Sequence, residues 1–318
     1  MTISRRKFLN STLKLGGLSL LPPAVFKSCL PARKKEDLII DFIGTRQNFD
    51  IYKQYLNKIR GIRISKGSLD ASLSNESDII LMDTGAETKS AYLLLFLEQG
   101  KDILTTYPMG SDLSEYASIS EFMESSGRFV GLMNPLVFFP SLRMLREIIR
   151  MEKITLKQIR INCHPVNLVG DFRVEGPTGT AQALQRIVSF ISDDYPLSLI
   201  ANTDDNKELD SIHIQFEGFQ STIQLNGKQL GWNLELRGEN FTALSDHTGL
   251  LAVRNEVKPR MASDPAIMDK AIKANIEDFL QAVRERSEPS VNHIDGLASI
   301  VLNRAVKESL ITGASINL

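Results

Sequence analysis

Cysteine is almost missing: Cys29 and Cys163 are the only two in 318 residues. That removes a disulfide framework as a source of stability. A single bridge between the two is all the sequence allows, and only if Cys29 stays unmodified. A dominant charge is missing too, with 37 basic residues against 38 acidic and a net charge of −1. No long basic stripe occurs after residue 35, so nothing electrostatic points to nucleic acid. The four histidines, His164, His213, His247 and His293, show no metal-ligand spacing. Cys163 and His164 are adjacent on an expected strand and so point to opposite faces. P-loop, nucleophile-elbow and His-rich motifs are absent, as are internal repeats and low-complexity tracts. What the chain does have is apolar content: 42% of residues, enough for a sizeable core over about two domains.

The amino-terminal stretch MTISRRKFLNSTLKLGGLSLLPPAVFKSC stands apart. Paired arginines precede Phe8-Leu9 and a glycine-containing, moderately apolar run to Leu21. It resembles a bacterial twin-arginine export signal, with Ser4-Arg5-Arg6-Lys7-Phe8-Leu9 as its core. Lys14, Gly16 and Gly17 interrupt the run, which is shorter than the about 20 apolar residues a membrane-spanning helix needs. Cys29, after Ser28, is a candidate lipid-attachment residue. The expectation is export to the periplasm or cell envelope by the twin-arginine machinery, with residues 1–29 as signal and 30–36 as linker.

From Asp37 the pattern becomes regular. DLIIDFIG, IRISKG, SDIILMDTG, KDILTTYP and RFVGLMNP read as short strands. Between them lie helices: residues 48–61, capped by Asn48 and stopped by Gly61, with Phe49, Tyr52, Leu56 and Ile59 on one face; residues 86–99, with Ala91, Leu94 and Leu95 at helical spacing; and SDLSEYASISEFMESSG, closing at Gly127. SLRMLREIIRME follows as an amphipathic helix. Alternating strands and helices predict a parallel sheet covered on both faces, whose ligands bind beyond the strands' carboxyl ends. Thr84-Gly85, Thr106-Tyr107-Pro108 and Asn134-Pro135 stand at such ends.

The second half changes character. In TLKQIRINCHP, Ile159, Ile161 and Cys163 face one way and Arg160, Asn162 and His164 the other. A helix over about 179–192 comes next, then SIHIQFEG and STIQLNGKQLGWNLELRG, with Asn226-Gly227 as a hairpin turn. Helices over about 266–286 and 294–312 finish the chain. The expected fold is α/β plus α+β: a Rossmann-like parallel-sheet domain over 37–152, then a mostly antiparallel sheet domain with returning carboxy-terminal helices over 153–318.

That order resembles the Gfo/Idh/MocA oxidoreductases, relatives of glucose–fructose oxidoreductase and inositol dehydrogenase. The resemblance is carried by SDIILMDTGAETKSAYLLLFLEQGKDILTTYPMG, GRFVGLMNPLVFFPSLRMLREII and IDGLASIVLNRAVKESLITGASINL. It implies binding of NAD or NADP, a sugar or polyol as small-molecule partner, no metal, and a homo-oligomer. It also implies three motifs, and the chain departs from each. In the glycine-rich turn after the first strand Gly44 is kept, but Arg46 and Phe49 stand at the second and third glycines. At the end of the fourth strand Pro108 is kept, but Thr106 and Tyr107 replace an acidic residue and a lysine. On the helix of the second domain, Gly179 and Ala183 stand where an aspartate and a histidine transfer protons, or Gln182 does if the register slips by one.

Tyr107 and His164 are therefore the candidate catalytic residues. Tyr107 as an acid requires a neighbouring cation, since a phenol's ordinary pKa is near 10. Gly44, Thr45, Arg46, Thr84, Glu87 and Pro108 are the candidate cofactor-binding residues, and Lys66, ending the second strand, hints at NADP or at no ribose contact. Two functions follow: an exported NAD(P)-dependent oxidoreductase with a tightly held nucleotide and degenerate catalytic motifs, or a catalytically silent carbohydrate-binding or scaffold protein on the same fold.

Overall fold

The computed structural model describes residues 37–66, 76–110, 113–163, 176–226, 231–254 and 259–318. The expected signal, the linker, Cys29 and His164 lie outside them. The chain divides into two compact units. One holds the described residues up to Asn134 together with Ile272–Ile300; the other holds Pro135–Ala271 and Val301–Leu318.

The first unit is a five-stranded parallel sheet, β1 (Leu38–Gly44), β2 (Ile62–Lys66), β3 (Ile79–Asp83), β4 (Asp102–Thr105) and β5 (Val130–Leu132), in the order β2-β1-β3-β4-β5. Its inner strands read as near-continuous apolar runs because both faces are covered: Ile40, Phe42, Ile80, Met82 and Ile103 are all buried, whereas the edge strand β2 alternates half-buried Ile62 and Ile64 with exposed residues. The connecting helices are α1 (Arg46–Leu56), α2 (Ala86–Glu98) and α3 (Leu113–Ser126).

The sequence misplaces the start of α1. Thr45, not Asn48, is the N-cap, and its hydroxyl accepts from the Asn48 amide at 3.2 Å. The helix also stops early, at Leu56; Gly61, with φ +71°, turns the chain into β2. On α2 the core face is Lys89, Leu93, Phe96 and Leu97, whereas Ala91 is exposed and Leu94 and Leu95 are half-buried. The run AYLLLFL is apolar all round, so helical spacing alone leaves its inward stripe undefined.

The sheet's β5 edge is closed by residues from far along the chain. Asn275 accepts from the Asn134 amide (2.7 Å), the Phe279 ring packs over Gly131, and the Leu132 amide donates to Val291 O (3.1 Å). Asp102, fully buried at the start of β4, accepts from Arg286 through both carboxylate oxygens (3.1 and 3.0 Å) and from the Phe129 amide (2.9 Å).

The second unit is an eight-stranded sheet built from β6 (Leu156–Cys163), β7 (Ser198–Thr203), β8 (Leu209–Gln215), β9 (Gln220–Gln224), β10 (Trp232–Gly238), β11 (Phe241–Asp246), β12 (Leu251–Val253) and β13 (Ile316–Asn317). Its order is β12-β11-β10-β6-β9-β8-β7-β13. Helices α4 (Pro140–Met151) and α5 (Gly176–Ser192) belong to this unit, while α6 (Ile267–Glu285) and α7 (His293–Thr312) are divided between the two. On β6 the expected alternation holds, with Ile159, Ile161 and Cys163 buried and Arg160 exposed. Burial pushes the Cys163 thiol up to about 12.

The hairpin expected at Asn226-Gly227 does not form. β9 and β10 are not neighbours: β6 lies between them, parallel to β9 and antiparallel to β10. The segment leaving β9 is tied to β8 instead, through the Leu225 amide on Asp210 O (2.7 Å). Gly227 itself lies outside the described residues.

Candidate functional site

The carboxyl ends of β1, β3 and β4 bring most of the sequence-predicted residues together within the first unit. Gly44 closes β1 directly beside Asp83. A Cβ at Gly44 would lie 2.8 Å from Asp83 O and from the Phe42 ring, so only glycine fits this turn. Thr45 and Arg46 follow at the exposed start of α1. The Asn48 amide is taken by the Thr45 hydroxyl and the Phe49 amide by Thr45 O, while those of Arg46 and Gln47 have no partner among the described residues. Phe49, at the third-glycine position, packs its ring at a tilt 5.6 Å from Phe42 and fills the close approach a glycine would permit. Thr84 and Gly85 form the bend from β3 into α2. The Thr84 hydroxyl is buried without a protein partner, and open space surrounds the Gly85 Cβ position. Glu87 stands in the first turn of α2.

At the end of β4, Tyr107 is 2% exposed and Pro108 half-buried, and the peptide bond between them is cis. Thr106 joins a hydrogen-bonded chain that the sequence does not announce. Lys89, fully buried, donates its amine to Thr106 O (3.0 Å) and Thr106 Oγ1 (3.1 Å). The Thr106 hydroxyl donates to Asp83 Oδ1 (3.2 Å), and Asn48 Nδ2 donates to Asp83 Oδ2 (2.8 Å). An ammonium and a carboxylate are thus bridged by one hydroxyl across the ends of β3 and β4. Lys89 brings a cation to the strand-four turn from a different element, α2. Its readable signal was a lysine four residues before Leu93 and seven before Phe96, on the buried face of an apolar helix. Asp83 also acts on Tyr52: burial first, then the Asp83 charge, then Tyr55, push that phenol well above its ordinary value, so it stays protonated near neutrality.

In the second unit Gly179, Gln182 and Ala183 fall on α5, all buried. None of the three offers an acid or base. Among the described residues no group of histidine, cysteine and carboxylate side chains is placed to hold a metal ion, and no helix is long and apolar enough to cross a membrane.

The residues at the strand ends fit a dinucleotide in part. The glycine-only turn at Gly44, the amides at the start of α1 with Arg46 beside them, and the orphaned Thr84 hydroxyl suit it. Phe49 and the Asp83 carboxylate replace the bare backbone that would otherwise surround a diphosphate.

No protein-family model matches the sequence, and no curated protein matches it either. Solved structures do. An oxidoreductase from Agrobacterium radiobacter, in complex with NAD+, L-tartaric acid and magnesium, superposes with a TM-score of 0.74 at 15% identity, over 88% of this chain and 98% of that one. A myo-inositol 2-dehydrogenase from Lactobacillus plantarum gives 0.70 at 14% identity, over 89% and 100%. GenD2 from gentamicin A biosynthesis, in complex with NAD, gives 0.73 at 13% identity, over 94% and 99%. A parallel five-stranded sheet, a mostly antiparallel eight-stranded one and returning carboxy-terminal helices make this the two-domain fold of the Gfo/Idh/MocA-type dehydrogenases.

Proposed function

We propose that this chain is an exported protein of the oxidoreductase type that holds NAD or NADP at the carboxyl ends of β1, β3 and β4, addresses a sugar or polyol, and transfers hydride weakly or not at all. The observation that carries this reading is the strand-four turn. Lys89, the amine that the described residues bring to it, is fully buried and donates to Thr106. Tyr107, at the position of the family's lysine, is buried as well. A general acid or base has to reach the proton it transfers. Binding is supported separately: Gly44, Thr45 and Arg46 would hold the diphosphate, with Thr84 and Pro108 lining the rest. The bound cofactor would supply hydride chemistry. The chain's own residues supply the charge balance of Lys89 and Asp83 behind the turn. NAD in two structures of the same fold supports the choice of ligand.

The test is native mass spectrometry of protein purified from its own host, with analysis of any nucleotide released on denaturation. Stoichiometric NAD(H) or NADP(H) is expected, with at most weak turnover on sugars and polyols that Tyr107→Phe leaves little changed. An empty protein that also fails to bind added dinucleotide refutes the proposal. The second reading, a silent carbohydrate-binding or scaffold protein, then stands; the filling of the third-glycine position by Phe49 favours it.

A further inference from the structure

At the amino ends of β1 and β2, away from the strand ends that carry the candidate site, lies a groove of about 610 Å³. Its walls are the turn after α1 (Lys58, Ile59, Arg60) and one face of α6 (Lys273, Glu277, Leu280, Gln281, Arg284, Glu285). The volume lies in the ~300–1,000 Å³ range of small-molecule sites.

The charges in the groove do not cancel. Four cations line it against two carboxylates, a net charge of +2: Lys273 pairs with Glu277 (3.4 Å), while Glu285 accepts from the neutral Gln281 (2.9 Å) and keeps its charge. Among the described residues the other three cations have no carboxylate partner within ion-pair distance. Lys58 lies over the Tyr55 ring (5.7 Å) and Arg60 is exposed. Arg284 donates one nitrogen to Gly61 O (3.0 Å), while its Nε is buried and unpartnered. Helix α1 ends here, yet its terminal carbonyls do not offset these charges: Lys53 O, Tyr55 O and Leu56 O are taken by the amides of Asn57, Lys58 and Ile59. Between the cations, Ile59 and the buried Leu280 form an apolar floor.

We propose that this groove is a binding site for a small anion, a molecule carrying one phosphate or carboxylate group on an apolar body. The planar guanidinia of Arg60 and Arg284 match the paired oxygens of such a group, and Lys58 adds a mobile point charge. Ile59 and Leu280 receive the body. The site is independent of dinucleotide binding, since the two share no residue.

Isothermal titration calorimetry of the full chain with phenyl phosphate, at ionic strength held constant with sodium chloride, tests the proposal. Saturable binding at one site per chain is expected. The double variant Lys58→Ala/Arg60→Ala, which alters two exposed side chains and should fold normally, is expected to bind about tenfold more weakly or worse. Arg284→Lys should weaken binding while keeping a charge, because the planar fork is lost. Heat that never saturates overturns the assignment, as does equal affinity in the double variant.

Discussion

Replacing Arg286 with alanine should unfold the parallel-sheet unit more readily than any surface change, and the structure sets the size of the effect. Asp102 is fully buried, and the Arg286 side chain is only 6% exposed. Two hydrogen bonds join them at 3.0 and 3.1 Å. With Arg286 gone, Asp102 retains the Phe129 amide at 2.9 Å and the longer, partly exposed Arg128 at 3.4 Å. Stranding one partner of a buried pair costs about 3–5 kcal/mol, a large share of the ~5–15 kcal/mol that holds a typical domain.

The loss should also depend on pH. Burial pushes the Asp102 carboxyl up from its ordinary value, while Arg286, the Phe129 amide and Arg128 pull it back. A folded value above the unfolded one means protonation favours the fold; that contribution is present below the unfolded value and disappears as pH rises through the folded one. Removing the leading opposing charge raises the carboxyl further. The penalty in Arg286→Ala is therefore largest near neutrality and shrinks as pH falls toward about 4, where the acid goes in neutral. Urea denaturation followed by far-UV circular dichroism measures it. Trp232, the chain's single tryptophan, lies in the other unit and reports that unit by fluorescence. A loss below about 1 kcal/mol at pH 7, the size of an exposed pair, refutes the argument. So does a loss that grows as the solution is acidified.

Three further outcomes can be checked. Gly131→Ala would bring a Cβ to 2.4 Å from the buried Phe279 ring, so a loss of about 1–3 kcal/mol is expected, partly recovered by Phe279→Leu in the same denaturation assay. Asp41 accepts from Ser65 through one oxygen but buries the other without a partner. Asp41→Val should therefore raise the urea midpoint by the equivalent of about 1–2 kcal/mol, and a lower midpoint would show that the carboxylate is needed. Cys163, buried with its thiol pushed up to about 12, should resist alkylation at pH 8 in the folded chain and react in urea, as read by peptide mass spectrometry; rapid labelling of the native protein contradicts its burial.

Sequence pattern revealed the elements better than their partners. Short apolar runs between glycine-ended helices marked β1, β3, β4 and β5, because burial on both faces leaves a continuous signature, while the edge strand β2, IRISK, showed as a short alternating one. β9 and β10 were also visible as alternating strands, but alternation says which face is buried and nothing about which strand lies alongside. A hairpin was the local answer, and the central position of β6 defeated it. β7, β11 and β12 were passed over, since SLIANT, FTALSD and LAV are short and carry weak alternation. At the candidate site, the positions of Gly44, Thr84, Thr106, Tyr107 and Pro108 were legible from their places at strand ends. Lys89 was not singled out, because its helix is apolar on every side and spacing alone leaves the inward stripe undefined. The bonds of Asn48 and Thr106 to Asp83 join residues 35 and 23 apart, beyond the reach of any local pattern.

The closure of β5 by Asn275 has a consequence for how the protein is made. The Asn134–Asn275 bond spans 141 positions, and Phe279, Arg286 and Val291 come later still. At ordinary ribosomal speed that separation takes roughly 7–28 s to synthesise. For all of that time the first sheet waits with its fifth strand unsealed and Asp102 without Arg286. The sheet begun first is therefore completed almost last, and chaperone occupancy should concentrate on nascent chains that end between β5 and α6.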